Sequence, residues 1–206
     1  MRSRSCWLGA LASGIMRSPG ELQSGRLNAV LERVLLVTGT VGVGKSTIGR
    51  EVCRLLSDRG EPTAFIDLDH LSGYWPRRAE DPFNTPLTAK NLGSVAANFG
   101  AEGARNLVVA GVVETQAVLD MYEREVSITM TVVRLTAPIP VIERRLRRRY
   151  RDDDRELGWH LARAPELDAI LEGAPVRMRR VDACANPSAV AQAVLDAAGW
   201  TSESTP

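Results

Sequence analysis

The sequence predicts a three-layer α/β fold built on a five-stranded parallel sheet. Three observations carry that expectation. From about residue 32 onward, short apolar runs alternate with segments of helical periodicity. The apolar runs are nearly continuous rather than alternating, as strands covered on both faces must be. The connections are long enough for crossover helices, which parallel pairing needs.

The elements follow in chain order. RVLLVTG (33–39) is a short buried strand. A helix over 46–59 places Ile48, Val52, Leu55 and Leu56 on one face, and Gly60 stops it in the left-handed position after the last turn. TAFID (63–67) is the second strand. A polar, proline-bearing loop covers 70–87. A helix over 88–105 brings Leu92, Val95, Ala96 and Phe99 into register. NLVVAGVV (106–113) is the third strand, 116–125 is helical, and SITMTVVRLTA (127–137) is the fourth strand. Pro138 and Pro140 open the next helix, where proline is tolerated. A charged stretch, RDDDRE (151–156), precedes a short helix over about 166–172. MRRVDA (178–183) is the fifth strand, and Pro187 starts a final helix carrying Val190, Val194 and Leu195. The fold is expected over 31–200, with 201–206 as a tail. Residues 1–30 read as an extension outside it. The start is arginine-bearing and loosely signal-like, but Gly9, Ser13 and Gly14 break its apolar run, and Met16 offers another start.

Composition narrows the function classes. A net charge of +1 gives no bulk attraction to nucleic acid or membrane. Three cysteines without paired spacing argue against a disulfide framework and a zinc site, and suit a reducing cytoplasm. Only two histidines occur, His70 and His160, which excludes a polyhistidine metal site. No apolar run reaches the roughly 20 residues of a membrane helix. In a sheet of this kind ligands bind beyond the carboxyl ends of the strands, so the loops there are where a site is sought.

The first of those loops is GTVGVGKST, Gly39 to Thr47. It fits G-x-x-x-x-G-K-S, the Walker A pattern, with a strand before it and a helix after it. Glycines at 39, 42 and 44 let the backbone reach positive φ and approach a ligand closely. The N–H groups of Gly39, Thr40, Val41, Gly42, Val43, Gly44, Lys45, Ser46 and Thr47 can then converge on an anion, helped by the helix N-terminus. Lys45 supplies the full positive charge for the β- and γ-phosphates of a nucleoside triphosphate. Ser46 offers its hydroxyl to Mg²⁺, with Thr47 as a weaker second.

FIDLDHL places Asp67 and Asp69 at the end of the second strand, on one side if the chain stays extended. Phosphoryl transfer to an alcohol needs a carboxylate for the hydroxyl proton and one for the metal shell. Asp69 is read as the base or acceptor anchor and Asp67 as the metal-shell or supporting acid; the reverse assignment is equally compatible with the spacing. His70 is an alternative base. Six arginines lie between Arg144 and Arg151. Cations that close over phosphates spread transition-state charge, and Arg145 and Arg149, one turn apart, are the candidates, with Arg148 a rival. Asp152 to Asp154 are candidates for ion pairs holding this flap open. Asn186, after the fifth strand, is a candidate for the adenine edge. Tyr74, Trp75, Arg77 and Arg78 are candidates for an acceptor pocket, Glu114 for a water-mediated metal contact or a substrate contact, and Gly111 for close approach. Trp159 and His160 have no assigned role.

On these residues the sequence resembles the small-molecule kinase branch of the P-loop superfamily: shikimate, gluconate and adenylylsulfate kinases, chloramphenicol phosphotransferase, and tunicamycin-resistance-type proteins. The resemblance is carried by GTVGVGKST, by the DLD after strand two, by RLRRR, by NLGSVAANFGAEGARNLVVAGVVE and by VDACANPSAVAQAVL, and covers roughly 33–200. It implies a 2-3-1-4-5 strand order, ATP with Mg²⁺ as donor, and a mobile lid. The chain departs from adenylylsulfate kinases in having Leu68 where they carry glycine, and from shikimate kinases in having only Gly111 where they carry a glycine run. The expected activity is Mg²⁺-dependent phosphorylation of a small-molecule hydroxyl by a monomer or homodimer. The alternative is a resistance-type module that binds nucleotide, hydrolyses it slowly and sequesters a ligand. No N-K-x-D guanine signature is present, which favours adenine.

Overall fold

The computed structural model describes residues 31–151 and 153–201. The expected extension over 1–30, residues 202–206 of the expected tail and Asp152 lie outside them. The described chain runs β1 (Arg33–Thr38), α1 (Lys45–Asp58), β2 (Thr63–Asp67), a 3-10 turn (Leu68–His70), α2 (Thr85–Ala101), β3 (Asn106–Ala110), α3 (Gln116–Val126), β4 (Met130–Thr136), α4 (Ile139–Arg149), α5 (Asp154–Gly173), β5 (Arg179–Asp182) and α6 (Pro187–Ala198).

All five strands pair in parallel, in the order β2-β3-β1-β4-β5. Val37 aligns with Ala110 on one side and Val133 on the other. The chain therefore leaves β1 toward β3 and β2, then returns to β4 and β5. The crevice at the end of β1, where the order reverses, is where such a sheet binds ligands.

Alternate residues of each strand feed two cores. Leu36, Ile66, Leu107, Val109 and Val132 pack with Leu92 of α2 and Leu119 and Tyr122 of α3. Leu35, Val37, Val108, Val133 and Leu135 pack with Val52 and Leu56 of α1 and Val194 and Leu195 of α6. Each such Leu or Val contributes about 1.5–3 kcal/mol of burial. A third cluster joins Ile142 and Leu146 of α4 to Ala164 of α5, and takes in Val41 of the glycine loop. No helix among the described residues is long and apolar enough to cross a membrane.

The structure corrects several element boundaries. The short helix expected over 166–172 is the last part of the 20-residue α5. The end of the charged stretch runs into this helix: Asp153 caps α5 by accepting from the Glu156 N–H, and Asp154 and Glu156 put negative charge in its first turn. Pro165 lies inside this helix, while Leu157, Leu161, Ala164, Leu167 and Leu171 recur at helical spacing and bury one face. α2 starts at Thr85 rather than 88, with proline in its first turn. β3 stops at Ala110 rather than 113, and β4 starts at Met130 rather than 127, because Ser127 ends α3 with φ 61°.

Candidate active site

The loop between β1 and α1 turns on Gly39, Gly42 and Gly44, with φ of 141°, 78° and 113°. Gly42 is needed for space as well: a Cβ there would lie 2.8 Å from the Leu146 side chain of α4. Gly44 caps α1 without a side-chain hydrogen bond. The N–H groups of that first turn are thus left free for an external acceptor. Lys45 folds back over the loop, its Nζ donating to the carbonyls of Gly39 at 3.0 Å and Thr40 at 3.1 Å. Thr40 is buried, and its hydroxyl donates to the Ala164 carbonyl of α5 at 2.6 Å.

Beyond this loop opens a cleft of about 810 Å³. Val41 to Ile48 line one wall and Asp67, Asp69 and His70 another. Arg144, Arg145, Arg148, Arg149, Tyr150 and His160 face them. The fold thus brings together Lys45, Ser46, Thr47, Asp67, Asp69, Arg145 and Arg149. Burial pushes the Lys45 ammonium down to about 8, with Asp69 and Asp67 opposing that shift and Arg149 adding to it. Both carboxylates and the guanidinium therefore act on Lys45.

The aspartates are not held in extended chain. Asp67 accepts from the Asp69 N–H at 3.2 Å and caps the 3-10 turn. Leu68 points into the core, against Gly111, where a Cβ would sit 2.4 Å from its Cδ1. Gly111 follows β3 rather than lying within it, and its missing side chain makes room for the turn that presents both carboxylates.

Arg145 donates to the Val43 carbonyl at 2.8 Å and the Ala183 carbonyl at 2.7 Å, tying the loop to the end of β5. Asn186 accepts from the Ala189 N–H at 2.9 Å and caps α6; Ala185 and Pro187 beside it line the cleft. Glu114 faces a cation rather than open solvent, pairing with Arg163 of α5 at 2.7 Å. Tyr74 and Arg78 line a separate cleft of about 330 Å³ with Asp81, Asn84 and Lys90. Arg77 sits over the Trp75 ring at 5.7 Å and donates to the Pro82 carbonyl.

Three features escaped sequence reasoning. Arg134 of β4 is only 2 % exposed and holds Asp168 and Glu172 of α5 at 2.7 and 2.9 Å. A lone charge inside an apolar strand was its signal. The Arg163–Glu114 pair and the Tyr150–His160 contact both depend on α5, whose first half was not read as helix.

A model of the AAA domain family matches residues 35–165. No curated protein sequence matches the chain. Among solved structures the chain is similar to a gluconokinase from Sinorhizobium meliloti 1021, with 18% identity and a TM-score of 0.58 over 83% of this chain and 94% of that one. It is similar to the tunicamycin resistance protein of Deinococcus radiodurans, with 19% identity and a TM-score of 0.55 over 82% and 97%. The APS kinase of Mycobacterium tuberculosis, solved with AMPPNP and APS, gives 21% identity and a TM-score of 0.53 over 82% and 98%. The chain belongs to the AAA domain family and has the fold of the P-loop small-molecule kinases.

Proposed function

We propose that this protein is an ATP-dependent kinase that phosphorylates a hydroxyl of a small molecule with the help of Mg²⁺. The observation that carries the reading is the convergence of Lys45, the uncapped start of α1, Asp67, Asp69 and the α4 arginines on one cleft. The donor set fits the cofactor. Among the described residues no cluster of three or more His, Cys, Asp or Glu is arranged to hold a metal unaided. A magnesium ion here would take the Ser46 hydroxyl, Asp67 and phosphate oxygens, which suits an ion that arrives with its nucleotide.

Bound Mg²⁺–ATP supplies the transferable phosphoryl group and neutralises part of its charge. The chain does the rest. The loop amides and Lys45 orient the phosphates. The Asp69 carboxylate, exposed at the cleft wall, accepts the proton of the acceptor hydroxyl. Asp67, held by the Asp69 N–H, supports the metal side. Arg145 and Arg149 bring positive charge to the oxygens on which negative charge builds during transfer. The missing guanine signature favours adenine.

The test is full-length protein with ATP, Mg²⁺ and a panel of hydroxyl-bearing metabolites, products read by mass spectrometry. A phosphorylated product is expected that is lost in Lys45→Ala and Asp69→Asn. If Asp69→Asn keeps both nucleotide binding and the cellular phenotype, the kinase reading fails and nucleotide-dependent ligand sequestration replaces it.

A further inference from the structure

At the mouth of the cleft, α4 ends at Arg149 and the chain reverses through Tyr150 toward α5. The Tyr150 and His160 rings stack with centroids 4.4 Å apart and planes 26° apart. The Tyr150 hydroxyl lies 3.0 Å from His160 Nε2, and His160 Nδ1 lies 2.7 Å from the Glu156 main-chain carbonyl. A carbonyl oxygen only accepts, so Nδ1 carries the proton. In the neutral ring Nε2 is then the acceptor, and the Tyr150 O–H donates to it. Both nitrogens of His160 are thereby used to fix one ring.

That ring in turn bears on Arg149, whose guanidinium sits over it 5.1 Å from the centroid. Arg149 is exposed, and among the described residues no carboxylate pairs with it. The face of Tyr150 lies beneath the Arg149 guanidinium. Its charge reaches Lys45, and both line the cleft.

We infer that His160 and Tyr150 are positioning residues for phosphoryl transfer: the Glu156 carbonyl fixes the His160 tautomer, His160 fixes the Tyr150 hydroxyl, and the Tyr150 ring holds Arg149 toward the phosphates. Neither residue needs to touch substrate. The inference rests on the kinase reading, and it places a function on α5 that neither the glycine loop nor the aspartates supply.

The test uses full-length protein and two probes measured by calorimetry: Mg²⁺–AMPPNP, a ground-state analogue, and Mg²⁺–ADP with aluminium fluoride, a stand-in for the phosphoryl group in flight. A misplaced group near the reacting centre costs about tenfold to a hundredfold. His160→Ala and Tyr150→Phe are each expected to weaken the aluminium fluoride complex by that factor and leave AMPPNP affinity within about twofold. Arg149→Ala is expected to show the same selective loss. The double variant Tyr150→Phe/His160→Ala should be no weaker than the worse single variant, because the two act as one unit. His160→Gln, whose amide oxygen can accept the Tyr150 proton, should recover most of the loss. Tyr150→Phe keeps the stacked ring, so its effect is not one of unfolding. Unchanged aluminium fluoride binding in Tyr150→Phe, equal losses with both probes, or additive losses in the double variant would overturn the inference. Failure of the unaltered protein to bind either probe overturns the kinase reading instead, and the inference with it.

Discussion

Binding of Mg²⁺–ATP at rising pH probes the state of Lys45. Its ammonium is pushed down to about 8 in the free protein by burial, with Asp69 and Asp67 resisting and Arg149 adding to the shift. A triphosphate beside it favours the charged form and returns the group to its ordinary range near 10.4 or above. Binding must then draw a proton from solution. The uptake is about 0.1 proton at pH 7, about 0.5 at pH 8 and about 0.9 at pH 9. Affinity follows the same curve. It is nearly flat below pH 8 and then weakens, so that Kd rises about thirtyfold between pH 7 and pH 9.5. For the free protein the sign is consistent: a lowered lysine penalises the charged form, so its contribution to stability is lost as pH falls through about 8 and is fully present only above the unfolded value near 10.4. Calorimetry in two buffers of different ionisation enthalpy measures the uptake. Lys45→Arg, which cannot lose its proton in this range, should bind with none. Zero uptake at pH 9 in the unaltered protein, or equal uptake in Lys45→Arg, would refute the reasoning.

Two further expectations concern the frame around the site. Asp168→Ala leaves the 2 % exposed Arg134 with Glu172 and one carbonyl, and should cost about 2–3 kcal/mol in urea unfolding, whereas Arg134→Met, which removes the buried charge itself, should stay within about 1 kcal/mol; the reverse order would contradict the burial argument. Gly111→Ala should drive Leu68 out of place and cost about 1–3 kcal/mol along with nucleotide turnover, and Leu68→Ala in the same chain should recover part of both; no recovery would mean that the glycine acts elsewhere.

The strands and the glycine loop were legible because their signals are local, whereas the strand order came from the family resemblance. An apolar run followed by G-x-x-x-x-G-K-S fixes a strand, a turn and a helix start within a few residues. The aspartates were legible as residues but not in conformation. Spacing i, i+2 puts both on one side only in extended chain, while the cap that Asp67 offers the Asp69 N–H bends the segment into a turn. α5 was the main loss. Pro165 lies within its span on the exposed face, and its polar positions are spent on long-range partners: Arg163 on Glu114, Asp168 and Glu172 on Arg134. Such pairings join segments tens of residues apart, and no local period reveals them. Asn186 shows the converse. Its place after β5 pointed to the nucleotide, while the structure shows its Oδ1 capping α6.

The claim beneath the whole account is that the bend from Gly39 to Thr47 holds a triphosphate tail. Equilibrium dialysis of labelled Mg²⁺–AMPPNP against full-length protein and Lys45→Ala tests it most directly. Saturable one-to-one uptake is expected, weakened at least about tenfold in Lys45→Ala, since a charged hydrogen bond contributes about 1.5–3 kcal/mol. Equal uptake by both proteins, or none by folded unaltered protein, would contradict it.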